Sequence, residues 1–445
     1  MYRFRKGYYA DVRTERRCTS AVIYKNGVLA ENKERVTDGA FIRVFDGKMW
    51  YYASTETLLN VQKELDGLYE LAEYCADIEE NPVVKRFEVN RAKTFLFKDC
   101  STESVARDEK QKLLKELFPL VKKYPEIKLA TLLYTDRHSD FTFQSSKGAD
   151  LAYDYQTCGV ATSFYAAEGE KNFSFNYQQG RTKFSDLKGI SEGVLASIEE
   201  GLNFLKEAAD VEPGDYPVIL SPEAAGVFAH ESFGHKSEAD FMLGDETMKR
   251  EWQIGKKVGS DCLSILESGA FEGCGYVPYD DEGTKAGKTY LIKNGVLSGR
   301  LHSAETAAEL DEAVTGNARA VGIEFEPIVR MTTTVIEGGD KTFEELVKNV
   351  KHGYFIKTIK HGSGMSTFTM APNISYEIKN GKIGRPVKIS VISGDVFETL
   401  GLIDGVSKDE EILCFITGGC GKMEQFPLPV GFGAPYVSVS KMKVQ

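Results

Sequence analysis

The hexapeptide from His230 to His235, His-Glu-Ser-Phe-Gly-His, limits the folds open to this chain more than any other feature of its sequence. Two imidazoles and one carboxylate close together are the groups with which a protein holds a zinc ion and activates a water molecule. The chain has only 6 histidines, so chance rarely places two of them on either side of a glutamate. Such a site needs a rigid element, because loosely held ligands do not converge on one point.

The residues before the motif predict a helix that begins close to Ser221. A short apolar run, Val218 to Leu220, ends at Ser221-Pro222-Glu223. Serine is a preferred N-cap, proline suits the first helical position, and an acidic residue in the first turn complements the helix dipole. Residues 224–229 are small or apolar, so we expect the helix to be buried and held firmly by the core.

The spacing of the two histidines predicts a distortion of that helix. In the zinc motif His-Glu-x-x-His the histidines are four residues apart, which places them about 40° apart around the helix axis. His230 and His235 are five residues apart, which in a regular α-helix corresponds to about 140°. Both can reach one ion if the helix contains a π-turn or bends near Gly234, where glycine makes a distortion least costly.

A catalytic zinc ion usually has three protein ligands and one open position, so a third ligand has to come from elsewhere. We favour Cys420, because glycines flank it and allow the backbone to turn sharply. Cys414 lies in an apolar, strand-like run and is expected to be a core residue. The residues alone leave other candidates open: Glu238, Asp240, His302 and His361.

The motif also has a purely structural interpretation. A single histidine on a helix is more often a structural or surface residue than a ligand, and Glu231 could be a solvated helix charge. The small apolar residues around it argue against this, because an ionised glutamate is rarely buried unless it is paired. We therefore interpret His230, Glu231 and His235 together as part of a metal site.

Motifs along the second half of the chain resemble those of the TldD/PmbA family of zinc metalloproteases, in particular its metal-binding TldD branch. The matching segments follow the order of the family: 229–235, 279–283, 290–297, 315–317, 327–332, 376–383, 386–387, 418–422 and 429–435. The first half matches more loosely, through Tyr9–Arg13 and Gly39–Val44. Family members commonly begin with an extra helix, whereas here a strand-like segment is almost at the start.

The resemblance implies a zinc-dependent peptidase with metal-activated water. Carried over residue by residue, it makes His230, His235 and Cys420 the zinc ligands, and Glu231 the general base. It also implies that the substrates are short or unfolded peptides, bound extended against a sheet edge. It implies a homodimer, or a heterodimer with a related metal-less subunit. Because all four positions are retained, we expect this chain to be the catalytic kind.

Two other functions stay open from the residues. The chain could be a non-catalytic peptide-binding or regulatory subunit, in which a structural metal would normally have four protein ligands. It could also be a metal hydrolase that acts on a non-peptide amide. The glycine-rich segment 362–364 could line a peptide cleft, or it could be an ordinary surface loop.

Composition excludes several classes of partner. A net charge of −11 argues against a surface for nucleic acid or anionic membranes. We find no apolar stretch long enough to span a bilayer and no signal core after the basic start, so we expect a cytoplasmic protein. The 8 cysteines contain no Cys-x-x-Cys pair, and we expect no disulfide framework.

At 445 residues the chain is expected to form two domains of the α+β class, residues 1–213 and 214–445. We predict an N-terminal α/β domain and a largely β C-terminal domain that carries the His-Glu-x-x-x-His helix. The hydrophobic pattern predicts helices over 56–78, 105–123 and 191–209, and strands over 7–54 and 127–180. Hairpin turns are expected at Asn26-Gly27, Asp46-Gly47, Asn294-Gly295 and Asn380-Gly381.

Overall fold

The computed structural model describes residues 2–445 and has a mixed α and β fold. Residues 9–181 supply the strands of the first large sheet. They are β1 (Tyr9–Lys25), β2 (Val28–Phe45), β3 (Trp50–Thr55), β4 (Arg91–Thr94), β5 (Ile127–Ser145), β6 (Asp150–Glu168) and β7 (Lys171–Arg181). Their order is β3-β2-β1-β5-β6-β4, with β7 also paired to β6. Every pair is antiparallel except β4 with β6.

Five helices accompany this sheet: α1 (Val61–Tyr69), α2 (Pro82–Arg86), α3 (Arg107–Lys115), α4 (Phe118–Val121) and α5 (Ile190–Glu207). The helix predicted over 56–78 is too long, because Leu59 and Leu71 are exposed and do not extend the buried face of α1. The helix predicted over 105–123 is divided into α3 and α4, because Pro119 has no N–H to continue the helical ladder. The third prediction agrees with α5, which packs on β6 and β7.

Residues 209–445 form the remaining sheets. Their strands are β8 (Ala209–Asp210), β9 (Gly214–Leu220), β10 (Ile265–Glu267), β11 (Thr289–Lys293), β12 (Val296–Leu297), β13 (Ala318–Arg319), β14 (Ile328–Val329), β15 (Thr333–Ile336), β16 (His352–Gly364), β17 (Thr367–Lys379), β18 (Lys382–Lys388), β19 (Ile392–Asp395), β20 (Ile403–Val406), β21 (Glu411–Cys414), β22 (Cys420–Lys422), β23 (Gln425–Leu428), β24 (Gly431–Ala434) and β25 (Val437–Val444). One sheet has eight strands, in the order β16-β9-β25-β19-β17-β18-β8 with β20 paired to β25. Another has six, in the order β12-β11-β10-β15-β24-β21, and β13-β14 and β22-β23 are separate pairs.

The helix that carries the histidines lies between the two larger sheets of this half. The helices here are α6 (Pro222–Phe228), the π-helix Ala229–Gly234, α7 (Glu246–Glu251), α8 (Ala304–Glu309), α9 (Phe343–Lys348) and α10 (Val396–Gly401). On one side, α6 and the π-helix contact β16 of the eight-stranded sheet. On the other side, both contact β15 of the six-stranded sheet, and α6 also contacts β24 of that sheet. The largest hydrophobic cluster of the molecule surrounds them, so the predicted buried setting is confirmed.

All four predicted hairpin turns are present. Asn26-Gly27 joins β1 to β2 and Asp46-Gly47 joins β2 to β3. Asn294-Gly295 joins β11 to β12, and Asn380-Gly381 joins β17 to β18. The three asparagines have φ angles of 49° to 51°, the left-handed conformation that this type of two-residue turn requires.

Ion pairs connect the first sheet with the second half of the chain. Arg43 in β2 contacts Glu282 at 3.1 Å, and Arg13 in β1 contacts Asp281 at 2.9 Å. Within residues 2–445, no strand of the first sheet pairs with a strand of the later sheets. The division between residues 213 and 214 stays a prediction. Across the described chain, none of the helices has the length and apolar character needed to cross a membrane.

Candidate metal centre

The helix begins where the sequence predicts. Ser221 caps it: its Oγ accepts a hydrogen bond from Ala224 N at 3.2 Å and donates one to Lys357 O at 2.7 Å. Pro222 occupies the first helical position. The second hydrogen bond ties the cap to the region of β16, because Lys357 belongs to that strand. The Ser221 side chain therefore connects the start of the helix to β16.

The predicted π-turn lies between the two histidines. The backbone N–H of His235 donates to His230 O, a bond between residues five apart. In a π-helix this bond takes the place of the α-helical bond between residues four apart. It brings the two imidazoles onto one side of the helix, with ring centroids 5.2 Å apart. The spacing that conflicts with a regular helix is thus resolved by the backbone.

Gly234 has a different role from the one predicted. Its φ and ψ angles are −56° and −53°, ordinary helical values that any residue can adopt, so the π-turn does not need glycine here. A Cβ atom at this position would instead overlap the Sδ atom of Met331, which is fully buried. Glycine is needed for close packing against Met331, which lies two residues before β15.

We expect Gly234→Ala to destabilise the protein by about 1–3 kcal/mol, the usual range for overpacking a core. Chemical denaturation of metal-free protein would measure this. Gly67→Ala in α1 is a matched control: that glycine is helical and has open space around its Cβ position, so alanine should stabilise by about 0.4–1 kcal/mol. Adding Met331→Ala should relieve much of the penalty; an additive loss in the double variant would contradict the packing explanation.

His230, His235 and Cys420 lie together, as predicted. One nitrogen of each imidazole and the Sγ atom of Cys420 are all within 4.8 Å of one another. The shortest of these contacts, His235 Nε2 to Cys420 Sγ, is 3.4 Å. Gly418 and Gly419 precede the cysteine with φ angles of 86° and 155°, which is the sharp turn expected of flanking glycines.

His230 has the environment of an unsatisfied ligand. It is fully buried, and neither ring nitrogen has a hydrogen-bond partner among residues 2–445. Burial, followed by the charges of His235 and Arg330, lowers its pKa well below the ordinary value, so the imidazole is neutral. A buried polar group without a partner is costly, and a neutral imidazole is the form that binds metals. These donors therefore fit a zinc ion.

Glu238 orients His235. Its Oε2 atom lies 3.2 Å from His235 Nδ1, on the side of the ring opposite Cys420. Burial lowers the pKa of His235, but the hydrogen bonds with Cys420 and Glu238 outweigh it and raise the pKa to about 10. A carboxylate behind a metal-binding histidine fixes the ring and increases its basicity. Glu238, an open candidate for the third ligand, instead holds one of the ligands.

Lys422 was not identified from the sequence. Its buried Nζ atom lies 3.1 Å from Glu238 Oε2 and 2.6 Å from Asp240 Oδ1. Burial raises the pKa of Glu238, but the charge of Lys422 and the contacts with His235 outweigh it and lower the pKa overall. A signal was present: Cys420 and Lys422 are two residues apart, so in a strand they share a face.

Glu231 is half-buried next to the glycine-rich end of β16. A Cβ atom on Gly362 would lie 3.2 Å from Glu231 Cγ, and one on Gly364 would lie 2.9 Å from Glu231 O. Burial raises the pKa of Glu231, and the charge of His235 partly counteracts this rise. Segment 362–364 therefore borders the candidate site, and its glycines leave room for the glutamate.

The other candidate ligands are not brought to the site. His302 is bound through Nδ1 to Thr306 and through Nε2 to Glu312, and His361 is exposed in β16. Cys414 is not the free core residue that was expected, because it forms a disulfide with Cys274, 140 residues earlier. The expectation of no disulfide is wrong for this pair, whose distant segments are brought together only by the tertiary fold.

Removing the carboxylate behind His235 should weaken metal binding without removing a ligand. We expect Glu238→Gln to lower zinc affinity by roughly 10- to 100-fold, the usual effect of losing such a partner. Competition with a chromophoric chelator would measure the change. Glu251→Gln is a suitable control, because Glu251 pairs at 2.6 Å with Lys236 and touches none of the three candidate ligands. Equal affinities for both variants would argue against the orienting role.

Comparisons with known proteins identify the family of this chain. The family profile described as "PmbA/TldA metallopeptidase C-terminal domain" matches residues 213–445, and "PmbA/TldA metallopeptidase domain 1" matches residues 10–75. A metalloprotease of Methanocaldococcus jannaschii is 30% identical over 437 residues, 96% of this chain and 95% of that protein. The "Zinc metalloprotease TldD homolog" of Saccharolobus solfataricus is 28% identical over 451 residues, covering 98% and 96%.

Solved structures show the same fold. A Thermotoga maritima protein named for a proposed role in modulating DNA gyrase superposes with a TM-score of 0.79 at 19% identity, covering 99% of this chain and 96% of that one. TldE from Thermococcus kodakarensis gives a TM-score of 0.77 at 15% identity, covering 98% and 96%. Together with the profile match over more than half of the sequence, the full-length relatives establish that this chain belongs to the PmbA/TldD metallopeptidase family.

Proposed function

We propose that the protein is a zinc-dependent peptidase that hydrolyses short or unfolded peptides. The observation that carries the proposal is the buried, neutral imidazole of His230, which has no hydrogen-bond partner in residues 2–445 and lies beside His235 and Cys420. Two imidazoles and a thiolate are a ligand set that zinc accepts. Relatives over nearly the full length are named metalloproteases, which supports the same reaction class.

In this proposal His230, His235 and Cys420 hold the ion. A bound zinc ion acts as a Lewis acid, which polarises a carbonyl group and makes a water molecule more acidic. Glu231 accepts the proton from the attacking water and delivers it to the departing amine. Glu238 keeps the Nε2 atom of His235 directed at the site through its contact with Nδ1. Lys422 balances the charge of Glu238.

A structural metal in a non-catalytic subunit is the alternative, and the number of ligands separates the two. A structural zinc ion normally has four protein ligands, whereas a catalytic one leaves a position open. Within residues 2–445 the group of candidate ligands around His230 has three members. The set therefore favours catalysis.

The proposal extends to partners. We propose peptides as substrates, and a homodimer or a heterodimer with a related metal-less subunit, on the ground of the family resemblance. Native mass spectrometry of the purified protein would give the mass of the assembly and so test this proposal.

The most direct experiment is incubation of the purified, zinc-loaded protein with a mixed pool of peptides, with and without a chelator, followed by mass spectrometry. We expect new peptide termini that disappear with the chelator and return when zinc is restored. A pool that stays intact at full zinc occupancy, alone and after addition of a related subunit, would refute the proposal. Cleavage of simple amides without cleavage of peptides would point to a different hydrolase.

The pH dependence of turnover should report Glu231. A general base works only when it is ionised, and burial raises the pKa of Glu231 above its ordinary value of 4.5. In the metal-free protein Glu231 should therefore lose its charge at a higher pH than an exposed glutamate, and a bound zinc ion would oppose this shift. Activity should fall as acidification protonates Glu231. A profile of kcat/KM between about pH 4 and 8 would locate this decrease, which reports the ionisation of groups in the free enzyme. If the activity of Glu231→Gln fell with acidification at the same pH as that of the wild type, the decrease would have to come from another group.

A further inference from the structure

A small cavity of about 50 Å³ lies between the first sheet and the second half of the chain. Its walls come from β1, β5 and β6 on one side, and from the segments around Tyr276, Arg319 and Leu428 on the other. Phe141, Val321 and Pro429 on its wall are only half-buried, so the cavity reaches the surface. Only a small group can enter.

The lining carries an excess of positive charge. Its charged members are Arg13, Glu15, Arg137, Asp281 and Arg319. Arg13 is paired with Asp281 at 2.9 Å, and Arg137 with Glu15 at 2.7 Å. Glu15 also forms an ion pair with Arg17 at 2.7 Å, so its carboxylate is shared by two guanidinium groups. After these pairings Arg319 is left over.

Arg319 is buried without a counter-ion. Its Nη1 and Nη2 atoms donate to the backbone oxygens of Met331 and Pro429, and no carboxylate of residues 2–445 lies within 4.0 Å of them. Burial, and then the charge of Arg330, lower its pKa to about 10. Carbonyl oxygens satisfy its hydrogen bonds, and the charges of Asp281 and Glu267 raise its pKa from beyond contact distance without outweighing burial. A buried charge that lacks a contacting partner is costly. An anion in the cavity would supply the missing charge.

Two phenol groups on the same wall suit an anion as well. Tyr153 and Tyr276 line the cavity, and neither hydroxyl donates a hydrogen bond to another group in residues 2–445, whereas the neighbouring Tyr155 donates to Cys274 O at 3.1 Å. Phenol hydroxyls and a guanidinium are donors that a carboxylate accepts. A cation would meet repulsion here, and a nucleic acid could not enter this volume.

The cavity shares structural elements with the candidate metal centre. Leu428 on its wall is the strand partner of Cys420 in the β22–β23 pair. Arg319 donates to Met331, the residue that fills the space beside Gly234 in the π-helix. Phe432, four residues after Leu428, packs its ring against His230 at 4.9 Å. A group bound in the cavity would therefore be held close to the proposed ligands.

We propose that this cavity binds a carboxylate of the peptide substrate, with Arg319 as its counter-ion and Tyr276 as a hydrogen-bond donor. The carboxylate comes from the C-terminus of the peptide or from an acidic side chain, and both sources have the same chemistry. The assignment rests on the proposed function and adds a determinant of specificity to it.

The test measures the binding of labelled peptides to full-length, zinc-loaded Glu231→Gln protein by fluorescence anisotropy. One pair of labelled peptides differs only in a free or amidated C-terminus, and a second pair differs only in an internal Glu or Gln. We expect the acidic member of one pair to bind roughly 10- to 100-fold more tightly, the strength of one charge-assisted contact. The pair that shows the difference identifies the source.

Substitutions in the cavity should remove this preference. In Arg319→Gln the affinities of the two peptides should become nearly equal. Because Arg319 also holds two backbone oxygens, Tyr276→Phe serves as a milder variant, in which the preference should fall several-fold. Tyr155→Phe is the matched control: its hydroxyl is bound to Cys274 O, so the preference should persist.

The outcomes separate this inference from the proposed function. Equal affinities within both peptide pairs, or no measurable binding of any peptide, would overturn the carboxylate site. If wild-type protein nevertheless cleaves acidic and neutral peptides at equal rates, the peptidase proposal stands without it. A carboxylate preference that depends on Arg319, in a protein that cleaves nothing, would support the cavity and refute the peptidase.

Discussion

Glu231→Gln should retain its zinc and lose turnover by roughly 10²- to 10⁴-fold, the contribution of a positioned general base. Glutamine has nearly the same shape as glutamate but cannot accept the proton of the attacking water. No ligand of the proposed zinc site is altered, so elemental analysis should give the same metal content as in the wild type. Steady-state hydrolysis of a peptide found in the pool experiment would measure the loss.

A half-buried glutamate on the preceding helix provides the control. Glu223 in α6 accepts a hydrogen bond from Ile359 N at 3.0 Å, and burial raises its pKa to about 7. Glu223→Gln should therefore keep turnover within a few-fold of wild type, because a glutamine oxygen can accept the same bond. If Glu231→Gln retained wild-type turnover, Glu231 would have to be removed from the mechanism. Loss of zinc from that variant would make it a metal-site residue instead.

His230→Leu should weaken zinc binding strongly and yet stabilise the metal-free protein. Loss of one ligand should weaken binding by about 3 kcal/mol or more, roughly 100-fold, if the 10–16 kcal/mol of a tight zinc site is shared among its ligands. In the metal-free wild type, His230 buries two ring nitrogens without partners, and each such group costs about 1–3 kcal/mol. Thermal unfolding with and without zinc would show both effects: a higher Tm without zinc, and a smaller rise than in the wild type when zinc is added.

His302→Leu is the matched control for this experiment. His302 is equally buried, but both of its nitrogens are hydrogen-bonded, to Thr306 at 3.1 Å and to Glu312 at 3.0 Å. The same substitution there should destabilise the protein and leave the zinc-dependent rise in Tm unchanged. If His230→Leu were as destabilising as His302→Leu, the orphaned imidazole could not be the signature of a missing ligand.

The parts of the site that the sequence could predict are those determined by local chemistry. The cap at Ser221 depends on residues within one helical turn. The π-turn follows from the spacing of His230 and His235 alone, since no regular helix aligns them. Cys420 could be favoured because the conformations of its flanking glycines are a local property. Each of these predictions uses information from about six neighbouring residues, and each agrees with the structure.

The parts that could not be predicted depend on pairs that are distant in the sequence. Lys422 reaches Asp240 across 182 residues, and its spacing from Cys420 places both on one face of a strand without indicating which carboxylates it contacts. The disulfide joins cysteines 140 residues apart, and single-chain spacing does not reveal such pairs. The role of Gly234 is set by Met331, which meets it only in the folded core. The length of α1 depends on how much of its apolar face the sheet covers.

The π-turn between the histidines has a consequence for how variable this segment can be. Compared with a motif of the shorter spacing, it holds one extra residue, and three of the four intervening residues, all except Glu231, are enclosed by the core. Phe233 stacks on Trp252 with centroids 4.6 Å apart, Gly234 receives Met331, and Ser232 is fully enclosed. A deletion that restored an uninterrupted α-helix could still aim both imidazoles together, but it would leave one of these neighbours facing a void. The enlarged turn thus couples the geometry of the ligands to the shape of the surrounding interior.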